Sequence, residues 1–207
     1  MNESIELYGA MTGNSLRVAI ALEEAALAYR VKVVDMRHGE HLQPEFLRLN
    51  PLGKVPVIIE RTESGAECVL TQSNAIIFYL ADKAPGTLLP IHDLRLRAVA
   101  LERFFYFLTD VIAPSHSGFF LRKQGEEAGA AALNQQALLM LVSAERFLTA
   151  STFIAGDTFT VADIAAFTIA LSYERQIDWS ALPLLKAWYE RVRTRPAVIR
   201  GIVSLEA

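Results

Sequence analysis

With 207 residues, 52% of them hydrophobic and 21% charged, the chain has the make-up of a soluble globular protein with a substantial core. Its net charge is −3, and residues 1–85 carry 8 basic and 11 acidic side chains against 12 and 12 in the remainder, so neither part has the basic excess of a nucleic-acid binder. No apolar run reaches the roughly 18 residues of a membrane span, the acidic start Met1-Asn2-Glu3 is unlike a signal peptide, and one cysteine excludes a disulfide framework or a Cys-rich metal site; the expectation is a cytoplasmic protein without metal, nucleic-acid or membrane partners.

In chain order, residues 5–8 predict a short strand ended by Gly9, and residues 10–14 a loop. A helix is expected over 15–28, with Val18, Leu22 and Ala25 on its apolar face and Arg17 and Glu24 on another. Residues 29–34 read as a second strand, 35–41 as a polar loop, and 44–49 as a short helix with Pro44 in its first turn. Asn50, Pro51 and Gly53 make a turn. The β-branched run at 57–59 and the run at 67–70 then flank a Gly65-containing turn and predict a hairpin. Thr71, Gln72, Ser73 and Asn74 are helix-start residues before an amphipathic helix that reaches about residue 83. The order β-α-β-α-β-β-α, with a right-handed first crossover, predicts a mixed sheet.

Pro85, Gly86 and Pro90 mark 84–90 as a linker. Helical periodicity takes over beyond it. Helices are expected over 94–123, bent at Pro114, then 126–150, from 161 to about 175, 182–195, and a short one from Pro196. The expected division is 1–83, a linker at 84–90, and an all-helical domain at 91–207. Thr160 and Asp163 form a capping box, with Phe159 and Ile164 at the staple positions; this pair is a folding element with no catalytic role.

Two local features suit a peptide-like acidic ligand. Pro56 cannot donate to a sheet ladder, so it belongs at a strand start or edge. A cis bond before it would turn the backbone groups of Val55 toward an extended ligand, whereas a trans bond leaves an ordinary strand start. The helix start at Gln72 and Ser73 offers free N–H groups, a hydroxyl and a positive dipole end, which suit a carboxylate; plain capping is the alternative. Cys68, among Val69 and Leu70, reads as a small hydrophobe of a strand.

The stretch PEFLRLNPLGKVPVI at 44–58, with Gln72-Ser73 behind it, resembles the thioredoxin-like domain of cytosolic glutathione transferases, in which a cis Val-Pro matches Val55-Pro56 and an acid-Ser pair stands where Gln72-Ser73 is found. The capping box at 160–163 resembles the same family, and the likeness covers nearly the whole chain. It implies an α/β thioredoxin-like first domain with a mixed four-stranded sheet, an all-α second domain lining the pocket of the second substrate, glutathione as co-substrate, a small electrophile or disulfide as partner, and a homodimer. The implied activity is a glutathione transferase or a glutathione-dependent disulfide-bond reductase; the alternative is a non-catalytic glutathione-binding or regulatory protein.

A free thiol has a pKa of about 8.5 and needs a donor to become a thiolate near neutral pH. The family places that donor in the first loop. The spacing of Thr12 and Asn14 resembles the bacterial Nu-like class, so the thiol-activating candidates are Asn14 and Thr12, then Ser15, with Tyr8 last. His41 and Lys54 are the candidates for the glycine carboxylate, with Gln43 as a weaker substitute for His41. Val55, Pro56, Gln72 and Ser73 complete the implied glutathione site, and Gln72 lacks the charge of the family's usual acid. The aromatic run at 103–107 and Phe119-Phe120 read as core or interface, with no individual substrate role.

Overall fold

Side-chain alternation builds the sheet. In β1 (Ser4–Gly9) Ile5 and Leu7 are buried on one face while Glu6 and Tyr8 stand on the other. The computed structural model describes residues 4–61 and 65–206, so Ser64 of the expected hairpin turn and the first three residues lie outside the described residues. β1 pairs in parallel with β2 (Tyr29–Val33) and antiparallel with β3 (Val57–Arg61), which pairs antiparallel with β4 (Glu67–Leu70). The order β2-β1-β3-β4 is the expected mixed four-stranded sheet. Leu7 lies opposite Val31 and Ile58, and Ile58 opposite Leu70.

One face of the sheet carries α1 (Gly13–Glu24) and α3 (Ser73–Lys83), which pack on each other. Val18, Ile20, Leu22, Ile76, Ile77 and Leu80 are fully buried there. The short α2 (Pro44–Leu49) follows a 3-10 turn, Glu40–Leu42, and inserts Phe46 into a cluster with Ala10, Val34, Val55 and Val57. α1 stops four residues short of the expected 28. Ala26 takes a left-handed φ of 52°, its N–H bonds to the Glu23 carbonyl, and the Leu27 N–H bonds to the Leu22 carbonyl at 3.1 Å. This is a Schellman closure with alanine where glycine is usual. Helical periodicity alone does not reveal such a stop.

The chain forms two compact units. One comprises the chain up to Leu88 together with the segment from Arg195 onward; the other is Leu89–Thr194. The last helix, α9 (Pro196–Val203, numbered after those below), packs on α1 rather than closing the helical unit. A Cβ on Gly201 would meet the Ile20 backbone nitrogen at 2.9 Å, so only glycine admits this crossing. Arg195 grips Glu24 with two bonds of 2.6 and 2.7 Å, and Arg200 reaches Glu23 at 2.6 Å.

The helical unit comprises α4 (Leu94–Tyr106), α5 (Ala113–Lys123), α6 (Glu127–Ser143), α7 (Val161–Tyr173) and α8 (Pro183–Arg193). The expected bend at Pro114 is a π-helical turn, Phe107–Ile112, between α4 and α5. A widened turn accommodates a ring that would otherwise meet the carbonyl of residue 110. α7 is buried on nearly every side, and its first turn holds the capping box. The Asp163 carboxylate is fully buried and accepts four hydrogen bonds: from the Thr160 N–H at 2.9 Å, the Thr160 hydroxyl at 3.3 Å, the Ile154 N–H at 2.9 Å and the Trp188 indole at 2.8 Å. The box therefore ties the turn before α7 and the middle of α8 to one carboxylate.

Two outcomes are expected. Ala26 is exposed, so Ala26→Gly should relieve its backbone conformation and raise stability by about 0.5–1 kcal/mol in urea unfolding, after the entropy that glycine adds to the unfolded chain. Burial pushes the Asp163 carboxyl up to about 6, against the pull of its donors. The native state then holds this proton more tightly than the unfolded chain, so its stabilising effect is complete below about pH 4 and is lost as pH rises through about 6. Asp163→Asn, which leaves a donor facing a donor, should cost roughly 1–3 kcal/mol at pH 7. The gap between wild type and variant should be wider at pH 4 than at pH 7, by at most about 3 kcal/mol; a gap that narrows toward pH 4 would contradict this assignment.

Candidate functional site

Strand direction gathers the candidate residues. β1 and β2 run parallel and leave the sheet at Gly9 and Val33, β3 enters at Val57 opposite Tyr8, and β4 leaves at Leu70 opposite Ile58. The loops after β1 and β2, the segment before β3 and the start of α3 therefore share one end of the sheet. The buried cluster of Ala10, Val34 and Val55 with Phe46 and Val57 joins three of those segments directly.

In the first loop, Thr12 is the N-cap of α1. Its Oγ1 accepts from the Ser15 N–H at 3.2 Å and its hydroxyl donates to Ser15 Oγ at 3.1 Å. Ser15 is fully buried and also accepts from the Ala10 N–H at 3.3 Å, so it locks the loop to the helix from inside. Asn14 is half-buried in the first turn, and no hydrogen bond to another described residue engages its amide. Tyr8 stands on the face covered by α2, edge-on to Phe46, with its oxygen accepting from Lys32 Nζ at 2.9 Å. It belongs to β1.

The Val55-Pro56 bond is cis, and the ladder begins only at Val57, so the backbone of Val55 stands outside the sheet pairing. The preceding turn is shaped by Asn50. This buried side chain donates to the Lys54 carbonyl at 2.6 Å and accepts from the Leu52 N–H at 3.1 Å. Lys54 is exposed. His41 lies in the 3-10 turn, where its Nδ1 is buried and has no hydrogen-bond partner among the described residues. Gln43 is exposed as the N-cap of α2 and makes no side-chain cap.

At the start of α3, Gln72 is exposed and leaves its helix uncapped by its side chain. Ser73 is buried, and its Oγ accepts from Arg17 Nη1 at 3.5 Å; Asn74 Oδ1 lies 3.5 Å from the same nitrogen. Neither α1 nor α3 has an acidic residue in its first turn, so both positive helix ends stay open to an anion. Arg17 is the residue that sequence reading missed. Periodicity assigns it to a second face of α1, whereas that face is covered and Arg17 is only 2% exposed. Burial lowers its pKa to about 10, which leaves it charged at neutral pH. Its signal in the sequence is a lone cation inside an otherwise apolar helix run, 16–22.

Cys68 is half-buried on β4 opposite Glu60, away from the first loop. Of the aromatic run, Phe104 and Phe107 are core, Tyr106 donates to the Met140 carbonyl at 2.6 Å, and Phe105 is exposed. Within the helical unit, Phe119, Leu138, Asn134, Gln135, Tyr173 and Gln176 line a cavity of about 480 Å³. Among the described residues no helix is long and apolar enough to cross a membrane, and no group of three or more His, Cys, Asp or Glu side chains is placed to hold a metal.

The chain matches the family model for the glutathione S-transferase N-terminal domain over residues 3–82 and that for the C-terminal domain over residues 104–196. It is 31% identical over 208 residues to the disulfide-bond oxidoreductase YfcG of Escherichia coli K12, covering 98% of this chain and 96% of the relative. It is 29% identical to glutathione S-transferase GstB of the same organism, at 96% and 98% coverage. Among solved structures, a Pseudomonas fluorescens glutathione transferase family member with two glutathiones bound superposes with a TM-score of 0.83 at 27% identity, covering 96% of this chain and 92% of that one. A Burkholderia graminis glutathione transferase with two glutathiones per subunit gives 0.83 at 29% identity, with coverage of 97% and 88%.

One expected outcome separates Ser15 from its neighbours. Ser15→Ala strands the buried Ala10 N–H and should cost roughly 1–3 kcal/mol of stability. The pKa of a thiol held at the loop should change less in this variant than in Asn14→Ala, which a titration of both variants would reveal.

Proposed function

The chain belongs to the glutathione S-transferase family, and on that footing we propose that glutathione lies across the sheet end where the first loop, Val55 and the start of α3 meet. The protein is a glutathione-dependent transferase or thiol–disulfide oxidoreductase. The observation that carries the placement is the convergence of open backbone at Val55 with two helix starts free of acidic residues. Val55 offers backbone groups to the peptide part of the ligand. Ser73, with Gln72 beside it, receives the γ-glutamyl end, and His41 and Lys54 receive the glycine carboxylate.

The sulfur would then meet Thr12 and Asn14. Thr12 has committed its hydroxyl hydrogen to Ser15, whereas the Asn14 amide is open, so Asn14 is the donor to the thiolate. Donation stabilises the charged form and lowers the thiol pKa, each unit corresponding to about 1.4 kcal/mol. The proton leaves to water. The thiolate attacks an electrophilic carbon, forming a C–S bond and expelling the leaving group. Alternatively it attacks a disulfide sulfur, forming a mixed disulfide and releasing the other sulfur as thiolate. A second glutathione thiolate then attacks the mixed disulfide, giving glutathione disulfide and the reduced thiol. The disulfide route requires no cysteine in the first loop, which fits Thr12 and Asn14 there. The likeness to a disulfide-bond oxidoreductase and to structures holding two glutathiones supports the disulfide route. Exposed Leu94, Phe105 and Leu139 support a homodimer, and use of reduced glutathione supports a cytoplasmic site of action.

The test is thiolate absorbance of bound glutathione against pH. In the wild type the thiol pKa should fall by about one unit or more below 8.5, and Asn14→Ala should restore about a unit, slowing turnover near neutral pH roughly tenfold. Binding with an unshifted pKa would instead identify a non-catalytic glutathione-binding protein, the reading that the uncharged Gln72 favours. Absence of binding would overturn the site altogether.

A further inference from the structure

A buried guanidinium is costly, and an apolar side chain of similar length would fill the same space. Arg17 is nonetheless buried in α1, with Nη1 3.5 Å from Ser73 Oγ and 3.5 Å from Asn74 Oδ1, the first two residues of α3. Both neighbours are hydrogen-bond acceptors toward it. A hydroxyl whose lone pair accepts from a cation keeps its own hydrogen for another acceptor, and is polarised into a better donor. An amide whose oxygen is engaged likewise leaves its NH2 group to donate. Arg17 thus orients the polar groups at the start of α3 as donors, where the helix dipole is already positive and no first-turn acid opposes it.

We propose that Arg17 is a positioning residue that makes the start of α3 select a carboxylate, the α-carboxylate of the γ-glutamyl residue. The proposal rests on the glutathione site described above. Arg17 acts through Ser73 and Asn74 from behind the binding surface. Its contribution is to affinity for one carboxylate, and the sulfur at the first loop lies outside its reach.

The experiment compares two ligands on the full chain by calorimetry. One is S-methylglutathione, whose blocked sulfur removes the thiol from the comparison. The other is the same molecule with 4-aminobutanoyl in place of γ-glutamyl, which lacks only the α-carboxylate. Arg17→Met should weaken S-methylglutathione roughly tenfold, equivalent to about 1.4 kcal/mol, and the decarboxylated analogue by less than about twofold. Arg17→Lys keeps the charge without the planar fork and should show the same selectivity with a smaller loss. It also serves as the test should Arg17→Met fail to fold. In turnover the same variants should raise KM for glutathione more than they lower kcat. Equal losses for both ligands would reduce Arg17 to a structural role and overturn the proposal. Wild type binding both ligands equally well would overturn it while leaving the glutathione site standing, and wild type binding neither would overturn both.

Discussion

The pairing of β1 with β3 is the constraint on which the first unit depends. It sets Leu7 against Ile58 under α1 and α3, and it sets Tyr8 against Val57 at the end where the loops gather. Strand side chains alternate with a period of two, so a slip of one residue would pair Leu7 with Val57 or Ile59, whose side chains face the other side of the sheet. The same slip would move Val55 relative to the first loop. Core formation and the gathering of the loops are therefore linked in this sheet: the burial that stabilises the register also sets Val55 beside Ala10 of the first loop.

The distribution of buried polar groups follows from this arrangement. Of the five buried polar or charged residues described in the first unit, four (Ser15, Arg17, Asn50 and Ser73) lie at the end of the sheet with the candidate site. The fifth, Glu60, is held by Lys83 at 2.6 Å and by the Tyr79 hydroxyl. Burying polar groups is unfavourable unless they are partnered, so their concentration at one end marks where folding accepts a cost in exchange for shaped backbone and oriented donors. The helical unit treats burial differently. Asp163 collects four donors from three segments, and its role is wholly architectural.

Much of this was legible in the chain. The short strand at 5–8, the β-branched run at 57–59, the turn residues 50–53 and 65, and the helix-start cluster at 71–74 lead to the sheet and its flanking helices. The capping box at Thr160 and Asp163 is local, and it forms as read. The early stop of α1 was not legible, because it is an alanine that takes the left-handed turn at residue 26. The place of α9 was not legible either, since Gly201 has meaning only once α1 crosses it.

The division has a physical origin. Local interactions, such as turn preferences, caps and side-chain periodicity, act within a few residues of each other and can be read along the chain. On them rest the strands, the helices, the capping box and, through likeness of motif, the candidates Thr12, Asn14, Val55, Pro56 and Ser73. What only the tertiary structure decided depends on neighbours distant in sequence. Ser15 is shut inside by Ala10 and Thr12, Tyr8 is taken by Lys32 and Phe46, and Arg17 is brought beside Ser73 and Asn74, more than fifty residues on. A side chain's chemistry is written in its type, but its protonation, its exposure and the atom it faces are set by whatever the fold packs against it.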